Sequence, residues 1–262
     1  MLTVAGADCS AGAGLQADLK TFEAMDVYGL TIATVLTAQN SRAISGLHIV
    51  PGDFISAQFE SLFSDFKIAA IKTGLMISAD MVELIASNIT KHAPGTPLVI
   101  DPVISASTGM TFMDDDALEV LKSRLAPHAT LITPNLNEAA RLLNTEVARN
   151  IEEMEIQARA LKTALNTGAA LLKGGHLKGA DAATDVLYDG RDNHRFRAPF
   201  IETKNAHGTG CTLSAAIACG LAKGLSLTDA IADAKQFITN ALHGSAHWHI
   251  GSGNGPLKHR DS

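Results

Sequence analysis

Short β-branched runs alternate along the chain with longer stretches whose apolar positions recur at helical spacing, the pattern of βαβ units on a parallel sheet. Runs at 2–5, 30–37, 69–73, 98–101, 130–133 and 169–173 predict strands. Stretches at 13–25, 54–63, 79–92, 115–125, 136–143 and 151–166 predict the helices between them. A shorter pair, 185–188 and 195–201, flanks Asp189-Gly190-Arg191-Asp192-Asn193 and predicts an antiparallel hairpin. Two long helices, 211–223 and 227 to about Ser245, close the pattern. The expected fold class is therefore α/β, a three-layer αβα sandwich around a mostly parallel central sheet with a small β-hairpin. No repeat, low-complexity tract or Pro-rich linker interrupts it, so residues 1–250 are expected to form a single domain. The Gly-rich, polar segment 251–262 is expected to fray as a flexible C-terminal tail.

Composition narrows the function classes. Of 262 residues, 46% are hydrophobic and 18% charged, enough apolar material for a sizeable core and unlike a disordered chain. Lys+Arg 21 against Asp+Glu 27 gives a net charge of −6, which argues against the basic footprint of a nucleic-acid binder. Cys9, Cys211 and Cys219 lack the paired spacing of a zinc motif and are too sparse for a disulfide framework, so a reducing, cytoplasmic setting is expected. The first residues lack the basic-then-apolar layout of a secretory signal. The longest apolar run, 213–222, falls short of the ~20 residues that cross a bilayer, so no membrane partner is expected.

In open parallel sheets ligands gather at the carboxyl ends of the strands, so the residues just after each strand carry the candidate chemistry. The most informative segment is Asn205-Ala206-His207-Gly208-Thr209-Gly210-Cys211-Thr212, a glycine-rich turn that runs into a helix. Its unpaired N–H groups and the helix dipole make an anion site for a phosphoryl group or an oxyanion. Cys211 lies in the same field, which is expected to lower its thiol pKa and let it take a proton or attack an electrophile. A small buried cysteine beside a structural turn is the alternative. Lys173 stands at a strand tip beside Gly174 and Gly175, placed to meet a transferring phosphate or to be a solvated turn lysine. Asn135 and Glu138 have the spacing of a helix-capping pair, and with Asp101 they also offer oxygens to a hydrated Mg²⁺. Gln39 follows the second strand and offers a donor and an acceptor to a heteroaromatic edge. No Walker loop is present, which leaves phosphoryl transfer open through strand-tip charges and the helix terminus.

Several segments occur in an order that strongly resembles the hydroxymethylpyrimidine/phosphomethylpyrimidine kinases of thiamine biosynthesis, within the ribokinase-like superfamily. They are Ala5-Gly6-x-Asp8-x-Ser10-x-Gly12-Ala13-Gly14-x-Gln16-Ala17-Asp18, Thr37-Ala38-Gln39-Asn40, Lys72-Thr73-Gly74, Asp101-Pro102-Val103, Thr133-Pro134-Asn135-Leu136-x-Glu138, Lys173-Gly174-Gly175-His176 and His207-Gly208-Thr209-Gly210-Cys211-Thr212. The resemblance implies a ribokinase-like sandwich, a homodimer, and ATP- and Mg²⁺-dependent phosphorylation of 4-amino-5-hydroxymethyl-2-methylpyrimidine and then of its monophosphate. It further implies an anion hole at Gly208, Thr209 and Gly210, with Cys211 at a general-base position that many superfamily relatives fill with Asp. Gln39, Asp18 and Val103 would contact the pyrimidine. Lys173, Asn135 and Thr209 would hold ATP, and Glu138, Asn135 and Asp101 would organise Mg²⁺.

Cys9 stands where proline is common in that family, Ala11 where glycine is frequent, and Ser107 where many members carry lysine. Losing that lysine weakens the expectation for the second phosphorylation. Three other readings fit parts of the pattern: a pyridoxine or pyridoxal kinase, a Cys/His acyl hydrolase using Cys211 with His207 or His176, and a non-catalytic pyrimidine-binding module.

Overall fold

A computed structural model describes residues 1–105, 109–175, 177 and 183–260. Nine strands form one sheet in the order β3-β2-β1-β4-β5-β6-β7-β8-β9. These are β1 Leu2–Asp8, β2 Leu30–Gln39, β3 Ile44–Ile49, β4 Ile71–Thr73, β5 Leu98–Ile100, β6 Leu131–Ile132, β7 Ala170–Leu172, β8 Asp185–Tyr188 and β9 Asn193–Phe196. The run β2-β1-β4-β5-β6-β7 pairs in parallel, while β3 at one edge and the β8–β9 hairpin at the other run antiparallel to their neighbours. The α/β sandwich expected from the pattern is what the chain forms.

Period-two alternation sends each central strand to both faces. Leu98 and Ile100 of β5 join Leu2, Val4 and Ile71 in one cluster. That cluster is covered by α2 Gly52–Phe63, α3 Ala79–His92, α4 Asp115–Val120, α5 Leu136–Leu143 and α6 Ile151–Ala164. Val99 points the other way and packs with Leu131 and Leu171 under α1 Gly14–Ala24, α7 Thr209–Ala222 and α8 Leu227–Ser245. Helix α7 is small-residue-rich because it lies between the sheet and α8: Gly220 leaves no room for a side chain, and a Cβ there would stand 2.7 Å from Ala230 Cβ.

Three expectations need correction. Residues 115–125 do not form one α-helix: α4 ends at Val120, a π-turn covers Leu121–Leu125 and a 3₁₀ turn at Ala126–His128 takes in Pro127. The second hairpin strand spans Asn193–Phe196 rather than 195–201, stopping short of Pro199. Finally, the segment from Gly251, expected to fray, packs back onto the body. Leu257 and His259 are buried, His207 bridges to Pro256, and His259 Nε2 lies 2.9 Å from Thr212 Oγ1 in α7. No described helix is long and apolar enough to cross a membrane.

Candidate active site

From β1 the chain adds β2 and β3 on one side, then β4 and the later strands on the other, so strand order reverses at the β1/β4 boundary, where open α/β sheets form their crevice. A cavity of about 680 Å³ opens there, over the carboxyl ends of the strands. It brings together Gln39, Asp101, Val103, Asn135, Glu138, Lys173 and residues 208–211. Ser107 and His176 lie outside the described residues.

The start of α7 forms one wall. Gly208 is its N-cap at φ +87°, a left-handed conformation, and a Cβ there would fall 1.8 Å from the Gly12 carbonyl oxygen. Only glycine lets the two turns touch. The first helical bond runs from Thr212 N–H to Gly208 O, so the Gly210 and Cys211 amides precede the ladder. Thr209 behaves differently from its neighbours, since both its N–H and its hydroxyl donate to the Ala206 carbonyl, at 3.3 and 2.7 Å. The cradle is therefore built more from Gly210 and Cys211 than from Thr209.

Opposite these amides, Lys173 Nζ lies 2.9 Å from Asp101 Oδ1. A Cβ on Gly210 would stand 3.2 Å from that ammonium, so helix start, lysine and aspartate meet at one point. Burial works against the Lys173 charge, but Asp101 and Glu138 raise its pKa above the usual lysine value. Asn135 and Glu138 do form a full capping box at the start of α5. Glu138 Oε2 accepts from Asn135 N–H at 2.8 Å and Oε1 from Ile104 N–H at 3.2 Å, while burial pushes its pKa up. Asn135 Oδ1 is taken by Glu138 N–H. Among the described residues no group of three His, Cys, Asp or Glu side chains fits a bare metal ion. Asp101 and Glu138 both line the cavity with a single protein donor on each carboxylate oxygen, and such a donor set suits a Mg²⁺ that retains its waters.

Val103, also on the cavity wall, adopts φ +42°, a region that a β-branched residue occupies only when its surroundings impose it, at a cost of ~1–3 kcal/mol. Gln39 is half-buried, its Oε1 accepting from Thr37 Oγ1 at 3.3 Å and its Nε2 lying 3.2 Å from His207 Nε2. His207 Nε2 is also 2.9 Å from Asp8 Oδ2. Asp8 in turn accepts from Ser10, Gly12 and Ala13 N–H groups, folding the glycine-rich loop around its carboxylate. Burial raises the Asp8 pKa, but His207 and these donors outweigh it and hold the group at about 2. The Asp8–His207 link was not legible as a site. Its only signal is that both residues fall in glycine-rich turns at strand or helix ends. Ala11, standing where relatives often carry glycine, has φ +61°.

Two expectations fail here. Asp18 does not line the cavity: it is fully buried in α1, where Thr3 Oγ1 donates to it at 2.6 Å and Lys72 Nζ pairs with it at 2.8 Å. Asp18 lies on the inner face of its helix, and burial of the neighbouring Lys72 makes a counter-charge obligatory. Burial opposes the Lys72 charge, yet Asp18 keeps the ammonium above its usual range. Asp18→Asn is thus expected to cost stability, ~3–5 kcal/mol by denaturant titration, and full stability in that variant would contradict this structural role.

The Cys211 thiol also departs from expectation, because its pKa is pushed up to about 11 rather than lowered. Burial is the main cause, with Asp101 and Asp18 adding to it, and Lys72 and the Gly14 N–H only partly offset them. His207 makes no hydrogen bond to Cys211 and is held at Asp8 and Gln39 instead, so a Cys/His acyl-transfer pair is not formed by these two residues.

Comparison with known proteins agrees with this geometry. The family model described as phosphomethylpyrimidine kinase matches residues 8–258. A hydroxymethylpyrimidine/phosphomethylpyrimidine kinase of Rhizobium meliloti is 43% identical over 260 residues, covering 98% of this chain and 96% of its own. Among solved structures, the ADP complex of Bacillus subtilis pyridoxal kinase has a TM-score of 0.88 at 37% identity, covering 98% of this chain and 96% of that one. A phosphomethylpyrimidine kinase from Clostridium difficile has a TM-score of 0.80 at 35% identity, covering 91% and 97%. With a family match over nearly its whole length and a relative this similar, the chain belongs to the phosphomethylpyrimidine kinase family.

Proposed function

We infer that the protein transfers the γ-phosphoryl group of ATP to the hydroxymethyl oxygen of 4-amino-5-hydroxymethyl-2-methylpyrimidine, and then phosphorylates the monophosphate to the pyrophosphate, in thiamine biosynthesis. The observation that carries this reading is the meeting of Gly210, Lys173 and Asp101 at the end of a cavity whose other side holds Gln39 and Val103.

In this reading Gln39 engages the pyrimidine edge and Val103 packs on the ring, aiming the hydroxymethyl oxygen at the start of α7. The oxygen attacks the γ-phosphorus in line, the bond to the β-phosphate oxygen breaks, and ADP leaves. Cys211 Sγ accepts the hydroxyl proton, while the Gly210 and Cys211 amides and Lys173 take up the charge on the moving phosphoryl oxygens. Asp101 and Glu138 would hold the waters of a Mg²⁺ bound with the triphosphate, and that ion would supply further screening of the charge. Asn135 serves this arrangement by fixing Glu138 through the capping box.

Mass analysis after incubation with Mg·ATP and hydroxymethylpyrimidine tests the reading. Mono- and diphosphorylated products are expected, and ADP release without either would overturn it. The likeness to Bacillus subtilis pyridoxal kinase supports a second activity on pyridoxal, so the same assay includes that aldehyde. Tight pyrimidine binding with no ADP formed would instead indicate a binding module.

A homodimer in the cytoplasm is the proposed state. Leu47 and Ile49 share one face of edge strand β3 and are exposed, and a second copy of the chain would cover them. Ile49→Glu should therefore shift the mass measured by light scattering from dimer to monomer. A wild-type monomer would refute the proposal.

A further inference from the structure

We propose that the buried pair Asp185–Lys235 positions the nucleotide: Asp185 fixes the turn that carries Lys173, and Lys235 cancels a carboxylate charge that the triphosphate would otherwise meet. The proposal rests on the phosphotransferase reading above and extends it to two residues that the site description left aside.

The geometry begins at the tip of β7. Lys173 is followed at once by Gly174, whose N–H donates to Asp185 Oδ1 at 2.9 Å. A Cβ on Gly174 would fall 2.0 Å from the Thr184 carbonyl oxygen, so the turn lies flush against the start of β8 and the carboxylate reaches it directly. The other oxygen, Asp185 Oδ2, accepts from Lys235 Nζ of α8 at 2.6 Å. The side chains are 5% and 13% exposed, and both residues line the same cavity as Lys173. Among the described residues, Asp185 is the only acceptor for the Lys235 ammonium, so the carboxylate and the ammonium neutralise each other.

Charge arithmetic explains why such a pair belongs there. The cavity wall carries four carboxylates (Asp8, Asp101, Glu138 and Asp185) and three lysines (Lys72, Lys173 and Lys235). A polyanion entering this wall is repelled by every carboxylate that lacks a cation. Buried ion pairs contribute little to stability compared with apolar residues of the same volume, so stability alone does not account for one placed on a cavity wall. Without Lys235, Asp185 faces the triphosphate uncompensated and also loses half of what holds it to Gly174.

The test uses the full chain and two readouts: calorimetric binding of a non-hydrolysable ATP analogue with Mg²⁺, and steady-state KM for each substrate. Lys235→Met is expected to weaken analogue binding about tenfold or more and raise the ATP KM in parallel, while the pyrimidine KM holds. Lys235→Arg should stay near wild type. The double variant Asp185→Asn/Lys235→Met, which restores charge balance and keeps an acceptor for Gly174, should recover analogue binding to within about threefold of wild type. Asp185→Asn alone should bind at least as tightly as wild type and covers the case in which Lys235→Met does not fold. Wild-type binding by Lys235→Met, no recovery in the double variant, weaker binding by Asp185→Asn, or equal shifts in both KM values would each overturn the proposal. If the wild type binds the analogue but leaves the pyrimidine unphosphorylated, the functional reading fails while the binding series still decides this one.

Discussion

Cys211→Ala is expected to lower kcat by ~10²–10⁴ while leaving affinity for an ATP analogue within a few-fold of wild type. Cys211 Sγ, as the thiolate, is the group placed to accept the hydroxyl proton, and removing it leaves Lys173 and the Gly210 amide in place to bind phosphate. The sign of the pH dependence follows from the thiol's raised pKa. A base works only when deprotonated, and a thiol held near about 11 by burial has a small thiolate fraction at neutral pH. The wild-type rate should therefore climb with pH through the neutral and mildly alkaline range. In Cys211→Asp, where the base is already ionised, that climb should disappear. Loss of nucleotide affinity with unchanged turnover at saturation would contradict the assignment.

Gly208→Ala is expected to be the most damaging of the single-methyl changes. Its φ of +87° is strained for any other residue, and the added Cβ would sit 1.8 Å from the Gly12 carbonyl oxygen. Backbone oxygens cannot step aside as a flexible side chain does, so the start of α7 must shift and carry the Gly210 and Cys211 amides with it. Misplacing such donors costs ~10²–10³ in turnover. Gly224→Ala is the control: it shares a positive φ, +82°, but a Cβ there meets nothing within 4 Å. It should cost ~1 kcal/mol of stability and leave turnover alone. Equal turnover in the two variants would show that the contact with Gly12 does not displace the amides at the start of α7.

The central sheet was legible because β5, β6 and β7 are buried on both faces and must be apolar throughout, as Leu98-Val99-Ile100 is. Strand β3 was not, because nearly all of Ile44–Ile49 is exposed at an edge and Gly46 breaks its alternation. The anion-binding turn could be read from its glycines, since close backbone approach admits no other residue. The roles of Asp18 and Asp8 could not, because both are acids just beyond or within β1–α1 and only packing decides which faces the cavity. Asp18 turned inward to Lys72, while Asp8 collected loop amides and His207. The direction of the Cys211 shift was misjudged for a related reason. A helix terminus acts locally, whereas desolvation and the carboxylates of Asp101 and Asp18 depend on the whole fold.

The way Pro256, Leu257 and His259 seat against His207 and Thr212 has a practical consequence. Trimming the chain after Ile250 to obtain a tidier crystallisation target would strip the backing from the start of α7, the helix end at which we place the phosphoryl group.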